Sequence, residues 1–115
     1  MSKRSMSKGI TLCEEIAHLF MKIDPEFSMK SMLCLCEIFK NEGMSIIDLS
    51  RLTGIPQSSL TSIVGGLADN RRSTNRTGYK LVEKRRAAWD KRNYQLYLTD
   101  EGHRLIKKLN KITSR

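Results

Sequence analysis

The sequence predicts a mainly α-helical domain that carries a two-stranded β-hairpin, and three observations support this fold class. Apolar residues recur at three- and four-residue intervals from residue 10 to residue 68, which is the period of amphipathic helices. The period changes to two between Tyr79 and Leu98, as in strands. A helical stripe returns after Thr99. At 115 residues the chain has the length of one domain, too short for a large multidomain enzyme.

Two helices are predicted to follow a basic tail. Residues 1–9 carry Lys and Arg without apolar periodicity, and we expect them to be flexible. The apolar residues of segment 10–23 form one helical stripe. The Asp-Pro pair at 24–25 ends this helix because a residue before proline avoids the helical conformation. Ser28 is a suitable N-cap for a second helix that runs to about Lys40.

A helix-turn-helix is predicted for residues 45–68. Ser45 and Asp48 resemble a capping box for a short helix, Gly54 lies in a tight turn, and Pro56 suits the first position of the next helix. The outer face of that second helix carries only small, uncharged polar side chains, namely Gln57, Ser58, Ser59, Thr61 and Ser62. Its length and polar face fit the major groove of DNA.

A loop, a hairpin and a last helix complete the prediction. Residues 69–78 contain no apolar side chain and are expected to form a basic loop. Residues 79–98 form two strands joined at 87–91, and Thr99 caps a helix over residues 99–112 with acids in its first turn and lysines near its end. A hairpin directly after a helix-turn-helix makes a wing. The sequence therefore predicts one winged helix-turn-helix domain over residues 10–115.

The positive charge is concentrated in one part of the chain. The whole sequence has a formal net charge of +9. Residues 71–92 carry nine basic and two acidic side chains, a net charge of +7. Such a block favours a polyanionic partner, because each neutralised phosphate releases condensed counterions. The alternative is a solvated surface that only keeps the protein soluble.

Other classes of function find no support in the sequence. No Ser-His-Asp spacing, Walker A motif or HExxH motif occurs, so we expect no enzyme, no cofactor and no metal. No apolar run is long enough to span a membrane, and we expect a cytoplasmic protein without a secretory signal. We interpret the three cysteines, Cys13, Cys34 and Cys36, as small buried hydrophobic residues of a protein in a reducing compartment. A redox-sensing thiol is the alternative.

Residues 81–105 resemble the wing and following helix of the MarR (multiple-antibiotic-resistance-regulator) family of winged helix-turn-helix repressors. The family's D-x-R and L-T-x-x-G motifs match Asp90-Lys91-Arg92 and Leu98-Thr99-Asp100-Glu101-Gly102. Residues 47–55 are similar to its first helix-turn-helix helix and turn, and residues 58–61 to the start of its recognition helix. The resemblance covers about residues 28–112.

The resemblance implies a role in DNA binding for each matching position. The polar face of the second helix-turn-helix helix would meet base edges and nearby phosphates. Arg92 would reach the minor groove, where narrow A·T tracts attract arginine, and Asp90 would orient Arg92. Three further residues would hold phosphates: Arg85, Arg86 and Lys91.

Three features depart from the family pattern. Gln57 and Ser62 stand where the family often has arginine, so bidentate readout of guanine is not expected from this helix, whereas Gln57 suits adenine. Gly65-Gly66 weakens the end of the helix. Residues 70–78 look like an insertion with three arginines, Arg71, Arg72 and Arg76. This insertion is either a second DNA-contacting loop or a segment that only adds nonspecific charge.

These features together predict a sequence-specific regulator of transcription that binds double-stranded DNA, a dimeric repressor acting by occlusion. The homodimer is expected to form through residues 10–23 and 102–112, and the short chain suits a phage or mobile element. Two alternatives remain at this point: a nonspecific nucleic-acid-binding accessory protein, and a winged-helix module whose basic patch binds an acidic protein.

Overall fold

The computed structural model describes residues 3–71, 76–87 and 90–114, except for the side chains of 3–5, 70–71, 76–77, 87 and 90–93. Five helices and four strands follow each other along this part of the chain. They are α1 (Lys3–Met21), α2 (Met29–Lys40), α3 (Ile46–Thr53), α4 (Gln57–Leu67), β1 (Asn70–Arg71), β2 (Arg76–Thr77), β3 (Val82–Ala87), β4 (Asp90–Leu98) and α5 (Asp100–Thr113). The predicted fold class, mainly α with a two-stranded wing, is confirmed.

Side-chain caps define where three of the helices begin. The hydroxyl of Ser28 accepts from the N–H of Ser31 at the start of α2. At α3, Ser45 and Asp48 form the reciprocal capping box that their spacing predicts. Thr99 caps α5 by accepting from the N–H of Gly102. These local hydrogen bonds satisfy N–H groups that have no partner inside a helix.

The turn between α3 and α4 depends on a glycine in the left-handed region. Gly54 has a φ of 74° and its N–H donates to the carbonyl of Ser50, which ends α3. The Ser50 hydroxyl then donates to the carbonyl of Ile55 at 2.6 Å. Thr53 adds a contact by accepting from the N–H of Ile55. The two helices of the helix-turn-helix are thus joined by side-chain and backbone hydrogen bonds.

The wing is an antiparallel pair, β3 and β4, with a bulge between Arg86 and Ala87. The other edge of β4 pairs with the turn before α3, since the N–H and carbonyl of Leu96 bond to the carbonyl of Met44 and the N–H of Gly43 at 2.8 Å each. At the root of the wing, β4 is therefore hydrogen-bonded along both of its edges, to β3 and to the turn before α3. The outer part of β3, from Glu83 to Arg86, is exposed.

One apolar core holds the helices and the root of the wing together. Its fully buried side chains come from α2, α3, α4 and both wing strands: Cys34, Leu35, Ile38, Leu49, Leu60, Val64, Leu67, Val82 and Leu96. α4 runs through Gly65-Gly66 to Leu67 in spite of the low helix propensity of glycine. The burial of Leu67 and the bonding of the last carbonyls of α4 by the N–H groups of Tyr79, Lys80 and Leu81 offset this cost.

The start of α5 is packed against the start of the wing, and this contact explains the L-T-x-x-G motif. A Cβ on Gly102 would lie 2.3 Å from the carbonyl oxygen of Leu81, so no larger residue fits. Thr99 donates its hydroxyl to the carbonyl of Lys80 at 2.7 Å, and its N–H donates to the carbonyl of Leu81. The motif is thus a packing requirement of the fold.

Three predicted boundaries were wrong. The expected flexible tail over residues 1–9 belongs to α1 from Lys3 onward. Met6 extends the apolar stripe of α1 by one turn, and a single Gly9 costs only about 1 kcal/mol. The expected loop over 69–78 contains the antiparallel pair β1–β2, since backbone pairing needs no apolar side chain. The connection at 87–91 is shorter than expected, because β4 already begins at Asp90.

Candidate nucleic-acid interface

The outer face of α4 is polar, uncharged and exposed. Four of the five predicted base-contacting side chains are exposed, and Ser59 is half-buried. Leu60, Val64 and Leu67 point the opposite face into the core. The hydroxyl of Thr61 donates to the carbonyl of Gln57 at 3.2 Å, which leaves its oxygen as an acceptor. This face offers hydrogen-bonding groups without contributing any of the net charge.

The N-terminus of α4 differs from those of α2, α3 and α5. Its N-cap is Pro56, which makes no side-chain hydrogen bond to the first turn. The partial positive charge of the helix dipole is therefore not offset by a capping oxygen there. A phosphate oxygen is a suitable acceptor for N–H groups at such a helix end. Pro56 was predicted at the first position of this helix, whereas it is the N-cap and Gln57 is the first helical residue.

One face of the wing carries two cations next to a tyrosine. Arg86 lies opposite Tyr94 in the β3–β4 register, and its Nη2 donates to the Tyr94 hydroxyl at 3.1 Å. The Lys84 ammonium lies 5.4 Å from the centroid of the same ring. Contact with an aromatic ring stabilises a cation and restricts its side chain. Neither Lys84 nor Tyr94 was among the residues predicted from the sequence.

The other face of the wing holds Arg85 between an aromatic ring and a carboxylate. The guanidinium carbon lies 4.1 Å from the centroid of the Tyr97 ring. Its Nη2 is 3.1 Å from Oε2 of Glu83. This hydrogen bond, which outweighs partial desolvation, raises the pKa of Arg85 above its usual value. The Tyr97 contact depends on the register between β3 and β4, which the sequence does not show. The Glu83 contact follows from the two-residue spacing of Glu83 and Arg85 on one strand.

Several predicted DNA-binding side chains lie outside the described residues. The backbone of β4 includes Asp90, Lys91 and Arg92, and that of β1 includes Arg71, but their side chains are not described. Arg72 lies outside the described residues altogether. The roles of these five residues stay predictions.

The base of the inserted hairpin β1–β2 is fixed to the body of the domain. The Tyr79 hydroxyl donates to Oδ2 of the buried Asp24 at 2.6 Å, and the Tyr79 ring stacks on Phe27 with centroids 4.9 Å apart. The N–H of Gly78 donates to the carbonyl of Asp69 at 2.9 Å, which closes the insertion. Both ends of the basic insertion are therefore anchored.

An apolar groove lies between α1, α2 and α5. Its volume is about 720 Å³, and its lining includes Phe20, Met32, Leu33, Phe39, Ile106 and Leu109. Met29, which lines the groove, is 79% exposed, and two further apolar side chains of α1 are exposed, Met6 by 54% and Ile10 by 61%. Phe20, Ile106 and Leu109 of the groove belong to the two segments predicted to form the homodimer, residues 10–23 and 102–112. A groove with so little polar lining favours contact with another apolar surface.

The cysteines have different surroundings. Cys13 is exposed, Cys36 is half-buried and Cys34 is buried. Burial, with a smaller effect of Glu37, raises the pKa of Cys34 to about 11 and also raises the pKa of Cys36. A raised pKa lowers the fraction of reactive thiolate. Both thiols of α2 are thus poorly suited to sensing oxidants.

Within the described ranges of the chain, no three His, Cys, Asp or Glu side chains are grouped so as to hold a metal ion. No helix in the same ranges is long and apolar enough to cross a membrane.

No protein-family model and no curated protein sequence matches the chain. Solved structures do match. S. aureus MepR F27L, bound to an oligodeoxyribonucleotide, has a TM-score of 0.73 at 14% identity, covering 99% of this chain and 78% of that one. A MarR transcriptional regulator from Methanosarcina mazei Go1 has a TM-score of 0.65 at 22% identity over 96% and 76%.

A third solved structure is the transcriptional repressor CouR bound to a 23-mer DNA duplex. Its TM-score is 0.64 at 18% identity, over 97% of this chain and 69% of that one. These likenesses show the fold: it is the winged-helix fold of MarR-family regulators, as the sequence resemblance implied.

Proposed function

We propose that this protein is a transcription regulator, not an enzyme, that binds double-stranded DNA sequence-specifically as a homodimer. The observation that carries the proposal is the contrast between the exposed uncharged face of α4 and the cationic wing. The fold supports it, since MepR and CouR are solved with DNA on the same architecture. The basic block then supplies affinity through phosphates.

In this proposal α4 enters the major groove and the wing follows the minor groove. Gln57, Ser58, Ser59, Thr61 and Ser62 meet base edges and adjacent phosphates. Phosphates bind Arg85, Arg86 and Lys91 on the wing, and Arg71 and Arg72 in the insertion, which position the protein without reading sequence. Arg92 inserts into the minor groove, and Asp90 orients it.

The homodimer is proposed to form around the apolar groove. The exposed apolar residues of α1 and the groove between α1, α2 and α5 give each copy apolar surface that a partner could cover. A second copy related by two-fold symmetry would cover both surfaces at once. Two α4 helices would then read half-sites one helical turn apart, about 34 Å. Bound at a promoter, such a dimer represses by occlusion.

Sedimentation velocity tests the dimer. Ile10→Glu places a charge in the proposed interface and is expected to convert the dimer to a monomer. Ile47→Glu is the matched control, because Ile47 is an exposed isoleucine on α3, outside both dimerisation segments. Equal behaviour of the two variants would contradict this interface.

Selection of bound duplexes from a random pool, followed by footprinting, tests the DNA-binding proposal. We expect enrichment of one pseudo-palindromic sequence and a discrete protected site of about 15–25 base pairs, since specific sites are bound about 10³-fold or more tighter than random DNA. The basic insertion, which adds charge without base-reading groups of the recognition helix, favours a second candidate, a nonspecific nucleic-acid-binding accessory protein. Uniform protection without enrichment would support that candidate. Failure to bind any duplex at low salt would favour a protein-binding module with an acidic partner.

A further inference from the structure

Glu83 is an acidic side chain placed within the most basic part of the wing. It precedes Arg85 by two residues on β3, so both side chains are on the same face of the strand. Oε2 of Glu83 is 3.1 Å from Nη2 of Arg85. Tyr97, opposite Glu83 in the sheet register, lies under the guanidinium. Arg85 is thus held by a ring on one side and a carboxylate at its edge.

The carboxylate occupies the part of Arg85 that a phosphate would use. Guanidinium N–H groups bind carboxylate and phosphate oxygens with the same planar geometry. The stacking contact with Tyr97 uses the face of the guanidinium and leaves its edge for an oxyanion. Arg86 shows the contrast, since its hydrogen bond at Nη2 goes to the Tyr94 hydroxyl, which is neutral.

The pair is exposed, so a phosphate can displace it. Side-chain exposure is 53% for Arg85 and 49% for Glu83. Exposed ion pairs are weak and are screened by salt. Displacement nevertheless leaves an unpaired carboxylate close to a phosphate, and like charges at short range repel.

From this geometry we propose that Glu83 competes with DNA phosphate for Arg85 and thereby limits the affinity of the wing. The proposal rests on the proposed DNA-binding function. Glu83 makes no contact with DNA in this account; it is a positioning residue that acts through Arg85. Glu83 keeps binding to arbitrary DNA weak. The base contacts of α4 can then determine at which sequence the protein remains bound.

Glu83→Gln tests the proposal, because glutamine keeps the size of the side chain and removes its charge. Affinity for a random duplex is expected to rise about 2- to 5-fold near 0.1 M salt. The slope of log affinity against log salt is expected to steepen by up to about 0.9, the value of one phosphate contact. Affinity for a selected duplex is expected to rise by the same factor, because Arg85 binds every phosphate alike.

Glu101→Gln is the matched control. Glu101 also pairs with an arginine, Arg104, and both are exposed, but the pair is on α5. The control therefore removes the same charge and the same kind of ion pair away from the wing. If both variants change affinity and salt slope equally, the effect is one of net charge and the proposal is wrong.

A double variant tests whether the effect of Glu83 on DNA affinity depends on Arg85. In Arg85→Ala, adding Glu83→Gln is expected to change affinity no more than Glu101→Gln does. A gain that persists without Arg85, or a loss of affinity in Glu83→Gln alone, would overturn the proposal. These outcomes require that the wild-type protein binds duplex DNA. Absence of wild-type binding would instead contradict the proposed function itself.

Discussion

The exposed surfaces of α4 and of the wing have opposite chemistries. α4 has no charged side chain between Gln57 and Leu67, and its exposed groups are hydroxyls and one amide. The exposed part of β3 is Glu83-Lys84-Arg85-Arg86, with tyrosine rings beside its cations. Hydroxyls and amides discriminate between bases, whereas cations bind every phosphate alike. In the proposed complex with DNA, the wing would therefore supply affinity and α4 would supply specificity.

α4 and the wing also differ in how much of each element is packed into the apolar core. α4 is fixed along its whole length by Leu60, Val64 and Leu67, all buried. Among the described residues of the wing, Val82 and Leu96 at its root are buried in the core, whereas Glu83 to Arg86 are exposed. A helix that reads bases benefits from a fixed position. A phosphate-binding strand tolerates more freedom because the phosphate backbone is uniform.

The largest effect is expected from Gly102→Ala, which separates the wing root from α5. The new methyl group would lie 2.3 Å from the Leu81 carbonyl oxygen, so backbone must move. We expect a loss of about 3 kcal/mol in the free energy of unfolding, measured by urea denaturation. A loss below about 1 kcal/mol would show that α5 and the wing root adjust independently.

Removing Arg85 and Arg86 together is expected to weaken DNA binding by about 2 kcal/mol, roughly 30-fold. The salt slope should fall by up to about 1.8, the value of two phosphate contacts, with equal losses on selected and random duplexes. Fluorescence anisotropy at several salt concentrations measures both. Lys107→Ala with Lys108→Ala, on the exposed side of α5, controls for net charge. Sequence-dependent losses would contradict the division between affinity and specificity.

Gln57→Ala is expected to lower sequence discrimination without changing the salt slope, the opposite of the result expected on removing Arg85 and Arg86. Affinity for the selected duplex should fall by about 1–2 kcal/mol, as for loss of one base contact, while affinity for random DNA and the salt slope stay unchanged. Competition binding with the two duplexes measures this. A uniform loss would mean that α4 also serves mainly as a phosphate-binding element.

The smallest effect is expected from Gly54→Ala in the turn before α4. Nothing lies within 4 Å of the position of a Cβ there, but φ is 74°. The cost is then only conformational strain, about 1 kcal/mol. Comparison with Gly102→Ala in the same denaturation experiment separates strain from steric overlap. A cost equal to that of Gly102→Ala would show that the turn tolerates no adjustment.

The sequence predicted those features that depend on neighbours in the chain. Caps such as Ser45 with Asp48, and the tight turn at Gly54, are set by hydrogen bonds over a few residues. The early start of α1 was missed because Lys and Arg carry no stripe, and β1–β2 because its pairing involves backbone groups.

Within the candidate site, the polar face of α4 was predicted from helical spacing. The tyrosine contacts of the wing were not, since they depend on which residues of β3 and β4 face each other. Arg86 meets Tyr94 across the sheet, and Arg85 reaches Tyr97 diagonally. Side chains beyond the described part of the wing, including Arg92, keep the roles that the resemblance implies.

The closure of the basic insertion bears on how such a chain can change over evolution. The carbonyl of Asp69 and the N–H of Gly78 are 2.9 Å apart, and residues 79–81 are tied to the end of α4. The two ends of the insertion are therefore joined by backbone hydrogen bonds, and the β1–β2 pairing next to them is also made by the backbone. None of these bonds requires a particular side chain. We therefore expect that substitutions in the insertion can change its charge during evolution while the helix-turn-helix and the root of the wing keep their positions.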